Sequence, residues 1–290
     1  VFLIGAVCGA QVLAQLGAFT FFALLPTFFR EWGLSHSEAG ILNGIIFGVA
    51  NEKSIAWAIA DLLHEAGANV TLAYQSERVK DRVASLVSEW EDPLLVEGDV
   101  SSDDNVARAF SEFAQRYGTL SFVVHSIAFA NREDLGGAFY DTSRGGFNTA
   151  LEVSAYSLIP IARHAALLMG DGGSIMAMTF DASERVYPGY NIMGTAKAAL
   201  ENVVRQLASD LGDKNIRVNA LSPGPLDTLA ARGIHHFMDM RRIHAERSPL
   251  RRNITQEEVA KVALFLCSDL SSGITGTVLP IDAGFRIMAV

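Results

Sequence analysis

The 290 residues carry 23 lysines and arginines against 32 aspartates and glutamates, a formal net charge of −9 that argues against a nucleic-acid backbone as the main partner. Half of the residues are apolar, enough to core one large α/β domain or two small ones. Only two cysteines occur, Cys8 and Cys267, far apart and in different kinds of segment; this argues against a disulfide framework or thiolate metal site and fits a reducing compartment.

In chain order, the first 29 residues contain no charged side chain and no histidine. Such a stretch is long enough to cross a bilayer as an apolar helix. It lacks the basic n-region and small-residue cleavage site of a secretory signal. The chain opens on Val1 rather than Met, which leaves room for an upstream portion. The run AQLGAFTFFALLPTFFREWGLSHSEAGILNGIIF, within residues 13–47, resembles the first membrane helix, following loop and start of the second helix in major-facilitator-type transporters. The likeness fails at Asn51, Glu52 and Lys53, where charges would be expensive in lipid. GIIFGV is therefore read as a strand, with a junction near residue 44. Two explanations stay open: a membrane tether on a soluble enzyme, or an accidental join of two coding fragments. The second is favoured, because the segment replaces part of the expected first strand instead of extending it. Residues 1–43 are thus set apart from a domain over 44–290, with any membrane contact running through residues 1–29. An accidental join would start the first strand at a weak point, Asn43-Gly44, short of apolar contacts.

Beyond the junction, short runs rich in β-branched residues alternate with longer runs of helical period. The strand-like runs are IIFGV (45–49), NVTLAY (69–74), PLLVEG (93–98), LSFVVHSI (120–127), GSIMAMTF (173–180), IRVNALSP (216–223) and TVLPID (277–282). Helix-like runs occupy 54–66, 77–89, 102–117, 145–169, 190–211 and 256–268. The expectation is one α/β domain, a Rossmann-like doubly wound parallel sheet of about seven strands, preceded by an apolar N-terminal helix. Ligands then belong at the strand carboxyl ends.

After the first strand, Gly48 leads through a longer turn than G-x-G-x-x-G into Ser54 and Ile55, where a helix N-terminus can hold a phosphate; a plain N-cap is the alternative role for Ser54. Gln75 ends the second strand, where an acid would take a ribose 2′-hydroxyl and an arginine a 2′-phosphate. An uncharged Gln75 favours NADH, while Arg78 and Lys80 keep NADPH open. Asp99, ahead of Val100, is placed to accept from an adenine amino group or simply to cap a loop. Small residues at His125-Ser126-Ile127-Ala128-Phe129-Ala130 suit a nicotinamide ribose close to backbone. His235, His236 and His244 accompany no H-E-x-x-H or C-x-x-C and are read as solvated or loosely packed. In YNIMGTAK, Tyr190 and Lys197 stand seven residues apart, so on a helix they share one face. A phenol and an ammonium so placed suit hydride transfer, the lysine on a nucleotide ribose and the tyrosine on the oxygen that gains charge.

The ordered segments GVANEKSIAWAIA, AYQ, GDV, VHSIAFA, LGGAFYDTSRGGF, SAYSL, YNIMGTAKAALE, RVNALSPGP, TLAARGI, FLCSDLSSGITG and IDAGF resemble the divergent short-chain dehydrogenase/reductase branch of bacterial enoyl-acyl-carrier-protein reductases, over residues 45 to 287. The wider superfamily uses Tyr-x3-Lys, and here that position is Gly194. The resemblance implies NADH-dependent reduction of the C2=C3 bond of a trans-2-enoyl thioester on acyl carrier protein, in bacterial fatty-acid elongation. Hydride would reach C3, Tyr190 would stabilise the enolate, and Lys197 would anchor the nicotinamide ribose. It further implies cofactor contacts at Gly48, Ser54, Ile55, Gln75, Asp99, Val100, Ser126, Ile127, Lys197, Leu226, Thr228, Leu229 and Ala230, and substrate contacts at Ala130 and Tyr190. A homotetramer and a cytoplasmic catalytic domain are also implied. Three departures stand out. Phe180 occupies the place of a second tyrosine and joins Tyr190 and Lys197 in the candidate catalytic set, with an effect on gating or chain preference. Asp227 replaces part of an arginine-containing form and is expected to point outward. Basic docking residues give way to a stretch at 235–239 followed by Arg241 and Arg242. The stripe Leu226, Leu229, Ile234, Phe237, Met238 and Met240 is either core packing or an acyl-chain lid. Alternatives are a ketoreductase or alcohol dehydrogenase on the same fold, or a membrane-tethered NAD-binding protein without activity.

Overall fold

The computed structural model describes residues 42–229, 231–234 and 237–289. The expected N-terminal apolar helix, the transporter-like segment up to residue 41, Cys8, Ala230, His235 and His236 lie outside the described residues. Among the described residues, no helix is long and apolar enough to cross a membrane.

Seven strands form one parallel sheet: β1 (Asn43–Phe47), β2 (Asn69–Tyr74), β3 (Leu95–Glu97), β4 (Phe122–His125), β5 (Gly173–Met178), β6 (Ile216–Pro223) and β7 (Val278–Ile281). Their order is β3-β2-β1-β4-β5-β6-β7, with every neighbouring pair parallel. Among the described residues the first strand therefore lies in the middle of the sheet and the strand order reverses between β1 and β4, which opens a ligand crevice at the carboxyl ends of those strands.

Strand side chains alternate between two cores, as a pleat requires. Ile45, Phe47, Val123, Ile175 and Ala177 face α3 (Asp103–Tyr117), α5 (Leu158–Leu168) and α6 (Asn191–Leu211). Ile46, Leu72, Val124, Met176 and Met178 face the opposite layer of α1 (Ile55–Glu65), α2 (Glu77–Leu86) and α8 (Gln256–Cys267). α1 shows the sequence logic most plainly: Ala56, Ile59, Ala60 and Leu63 are buried at helical spacing against the sheet. Each fully buried aliphatic or aromatic side chain of β1 contributes roughly 1.5–3 kcal/mol.

The start of β1 is not the weak point expected of it. Asn43 is buried; its Oδ1 accepts from Asn69 Nδ2 at 2.8 Å, its Nδ2 donates to Thr119 O at 3.3 Å, and its backbone N–H donates to Ser121 Oγ at 3.3 Å. Gly44 lies so close to the Phe122 ring that a Cβ would sit 2.1 Å from it. Both residues are fitted to a strand paired on both sides.

Two helical expectations are corrected. The run 145–169 is α4 (Arg144–Leu151), a π-helical turn (Glu152–Tyr156) and then α5. Pro160 explains the break, since it has no N–H for a continuous helix and is tolerated only within the first turn of a new one. A further helix, α7 (Phe237–Arg247), follows the sixth strand, where the resemblance implies a docking helix but the helical runs read from period include none, because its apolar residues keep no clear period.

Candidate active site

β5 and α6 build the reacting centre. Tyr190 is the N-cap residue of α6, one position before the helix proper, and Lys197 lies two turns inside it. Lys197 is buried, and its Nζ donates to Met178 O at 2.7 Å and to Ile127 O at 3.4 Å. Tyr190 meets the edge of Phe180, two residues past Met178, with ring centroids 5.1 Å apart. The two side chains thus converge on the carboxyl end of β5, although Tyr190 stands outside the helix and Asn191 takes a positive φ, so the shared face of a continuous helix is not what brings them together. Burial pushes the Tyr190 phenol above its usual value, so the hydroxyl keeps its proton. Burial pulls Lys197 down to about 8, with Glu201, one turn further along, opposing. Two of the three ammonium protons are held by carbonyls, and the third is free to reach a hydroxyl.

Gly194 explains why the amine stands seven residues from the tyrosine and not four. A Cβ at Gly194 would lie 2.7 Å from Ala182 O, because the short helix Asp181–Ser183 is pressed against α6 there. No lysine fits at that position without separating the two segments.

The segments quoted above include Asn191, Ser154, Ser157 and His125, but not the contacts they make around the pair. Asn191 takes a left-handed φ of 30° and donates through Nδ2 to Gly136 O at 3.1 Å and Gly137 O at 3.2 Å, tying the β4–α4 connection to the start of α6. Ser154, in the π-helical turn, accepts from Phe129 N at 3.0 Å and donates to Phe129 O at 3.1 Å, fixing the backbone next to Ala130. Ser157 bonds Val153 O at 2.7 Å and His125 Nε2 at 2.8 Å. His125 is fully buried below the pair and is held neutral, at about 3, by burial and by the Lys197 charge. Both serines fall in the SAYSL segment, which carries part of the resemblance but does not show which partners they hold. His244 corrects the solvated reading: it is buried, stacked 3.6 Å from Phe285, and its Nε2 lies 3.3 Å from Tyr187 Oη. Tyr187 in turn donates to Asp181 Oδ2 at 3.1 Å and packs 4.8 Å from Phe180.

On the cofactor side, Gly48 has a φ of 100°, and a Cβ there would strike Ser126 O at 2.1 Å. The turns after β1 and β4 therefore touch, which brings Gly48, Ser126 and Ile127 together. Ser54 precedes α1 but caps it with no side-chain hydrogen bond; its Oγ donates instead to Asn51 O. The first turn of α1 holds no acidic residue that would oppose an anion at its N-terminus. The capping role considered for Ser54 is thereby replaced by a turn-stabilising one. Gln75 is exposed at the end of β2, while Lys80 is occupied by Glu77 at 3.0 Å. Asp99 spends Oδ1 on Ser101 N and Oγ at 3.0 and 2.8 Å, so its loop-capping role is real, beside Val100. These features, a glycine cradle and an open helix N-terminus flanked by an uncharged Gln75, suit a dinucleotide.

The family model described as enoyl-(acyl carrier protein) reductase matches residues 48–286. The chain belongs to that reductase family. It is 47% identical over 246 residues to the NADH-dependent enoyl-[acyl-carrier-protein] reductase FabI of Bacillus cereus, covering 84% of this chain and 96% of the relative. It is 46% identical over 245 residues to the FabI of Rickettsia bellii, covering 84% of this chain and 94% of that protein. Among solved structures, the Anaplasma phagocytophilum reductase in complex with NAD aligns at a TM-score of 0.83, with 44% identity over 86% of this chain and 95% of that one. The Bacillus cereus reductase with NADP+ and indole naphthyridinone aligns at 0.84, with 46% identity over 86% of this chain and 98% of that one.

The departures of this reductase now have structural content. Phe180 has no group that moves a proton, so its place in the site is one of contact, edge-on to Tyr190 and tilted against Tyr187. The stripe from Leu226 to Met240 divides: Leu226 and Phe237 are buried, whereas Leu229 and Met238 are exposed. Asp227 is not merely turned outward, because Arg232 grips both of its oxygens, Nε to Oδ1 at 2.8 Å and NH2 to Oδ2 at 3.0 Å. Thr228 Oγ1 accepts from Ala231 N at 3.2 Å and shapes the same turn. On α7, Arg242 is paired with Glu246 at 3.1 Å and with Asp239 at 3.7 Å.

Proposed function

We propose that the chain is an NADH-dependent enoyl-acyl-carrier-protein reductase that saturates the trans-2 double bond of enoyl thioesters during fatty-acid elongation. The observation that carries this reading is the convergence of Tyr190 and Lys197 on the carboxyl end of β5, with Gly194 backed against Ala182 where ketoreductases need lysine.

NADH would supply the hydride for C3 of the substrate, and the enolate so formed would take a proton at C2 afterwards. Gly48, Ser126 and Ile127 accept the cofactor backbone closely, and the N-terminus of α1 at Ser54 and Ile55 takes its diphosphate. Gln75 addresses the adenosine ribose, and the segment from Leu226 to Leu229 closes over the nicotinamide half. The free proton of Lys197 goes to the nicotinamide ribose, and its charge keeps the local potential positive. Tyr190 donates its hydroxyl to the thioester oxygen. A phenol whose pKa is raised keeps its proton and stabilises the enolate oxygen as a hydrogen-bond donor, without being asked to ionise. Ala130, held by the grip of Ser154 on Phe129, lines the substrate side. Phe180 shapes the wall beside Tyr190.

The carrier-bound thioester, a homotetrameric assembly and a cytoplasmic location for the catalytic domain complete the reading. The local pairing of Arg242 supports weaker or displaced carrier-protein attraction on α7. The test is a comparison of crotonyl and acetoacetyl thioesters with NADH. Oxidation of NADH with the crotonyl substrate and little with the acetoacetyl one is expected, and the reverse preference would overturn the reading in favour of a ketoreductase.

A further inference from the structure

Asp227 sets an electrostatic problem at the mouth of the cofactor crevice. It follows β6 at the carboxyl edge of the sheet, and Lys53, in the turn that leads into α1, lies within electrostatic reach of it. The loop after β6 and the turn before α1 therefore face each other across the helix N-terminus assigned above to the cofactor diphosphate. A bare carboxylate there would repel that dianion. Three cations surround Asp227: Arg232 in direct contact, with Arg241 of α7 and Lys53 further out. Only Arg232 engages both oxygens, in the planar fork geometry that a guanidinium offers and an ammonium cannot. The pair borders a cavity of about 550 Å³, lined also by Ile234, Phe237, Met238 and Asp239, so its geometry also sets the shape of the loop next to Thr228.

We propose that Arg232 is a positioning residue for the dinucleotide: by holding Asp227 in a bidentate ion pair, it removes a carboxylate from the field that the diphosphate enters and fixes the loop after β6. The inference rests on the NADH-binding reading and refines it. Arg232 itself need not touch the cofactor, since its work is done on Asp227. Because both partners are partly exposed, with side chains 55% and 35% accessible, the effect is screened by salt.

The test measures NADH affinity directly, by fluorescence titration of the full chain at low ionic strength, for wild type, Arg232→Ala, Asp227→Asn and the double variant. Adenosine, which has no phosphate, serves as the control ligand. Arg232→Ala is expected to weaken NADH binding about tenfold, a change of about 1.4 kcal/mol. Adenosine affinity should stay as in wild type. Asp227→Asn should bind NADH at least as well as wild type, and the double variant should recover to within about threefold of Asp227→Asn, the interaction that a double-mutant cycle isolates. High salt should shrink the penalty of Arg232→Ala. Unchanged NADH affinity in Arg232→Ala overturns the inference, as does a double variant as weak as the single one, which would mean that Arg232 contacts the phosphates or holds the fold. Wild-type chain that binds no NADH would overturn the functional reading itself, a distinguishable result.

Discussion

Lys197 is where pH acts most directly on this site. Its pKa is lowered by burial to about 8, below the ordinary lysine value, so the ammonium is intact below that pH and is lost as pH rises through it. NADH affinity is therefore expected to be steady from neutrality to about pH 8 and to weaken above it. A titration of cofactor binding against pH checks this, and affinity that stays flat to about pH 10 would contradict the anchoring role. At this scale the sequence was partly informative: Lys197 lies on α6 and Tyr190 just ahead of it at the N-cap, and Gly48 opens the turn into α1, but the approach of Gly48 to Ser126 was not announced by either segment. What spacing could not show was a partner from another element. The ion pair of Asp227 with Arg232, the grip of Ser154 on Phe129 and the burial of His244 all depend on tertiary packing.

At the scale of elements, the approach of the short helix Asp181–Ser183 to α6 sets the geometry of the reacting pair. Gly194→Ala inserts a methyl group 2.7 Å from Ala182 O and forces the two apart. Overpacking of this kind costs about 1–3 kcal/mol. Thermal unfolding should show a loss of several degrees, together with reduced turnover; an unchanged Tm and rate would contradict the close contact. The alternation of strands and helices was legible because each buried element keeps its own period. Two elements were not. The π-helical turn at Glu152–Tyr156 hides inside an apolar run whose period barely changes, with Pro160 as its only mark. α7 carries mixed apolar and charged residues, so the apolar stripe groups buried Phe237 with exposed Met238 and nothing in it marks the buried His244.

The sheet order follows from parallel strands joined by helices, and among the described residues it puts the candidate site at the carboxyl edge of the sheet. Asn43 already has its side chain and backbone bonded to Asn69, Thr119 and Ser121, so the fold is anchored from its first strand onward. Removal of residues 1–41 is accordingly expected to leave NADH affinity and Tm close to those of the full chain. A truncated chain that fails to fold would contradict that self-sufficiency. The account turns on the Tyr190 hydroxyl as the donor that stabilises the enolate. Its most direct test is the turnover of Tyr190→Phe with an enoyl thioester, measured alongside NADH affinity. Removing one such donor is expected to lower kcat by about 10²–10³-fold with cofactor binding preserved. Wild-type turnover in Tyr190→Phe would contradict it.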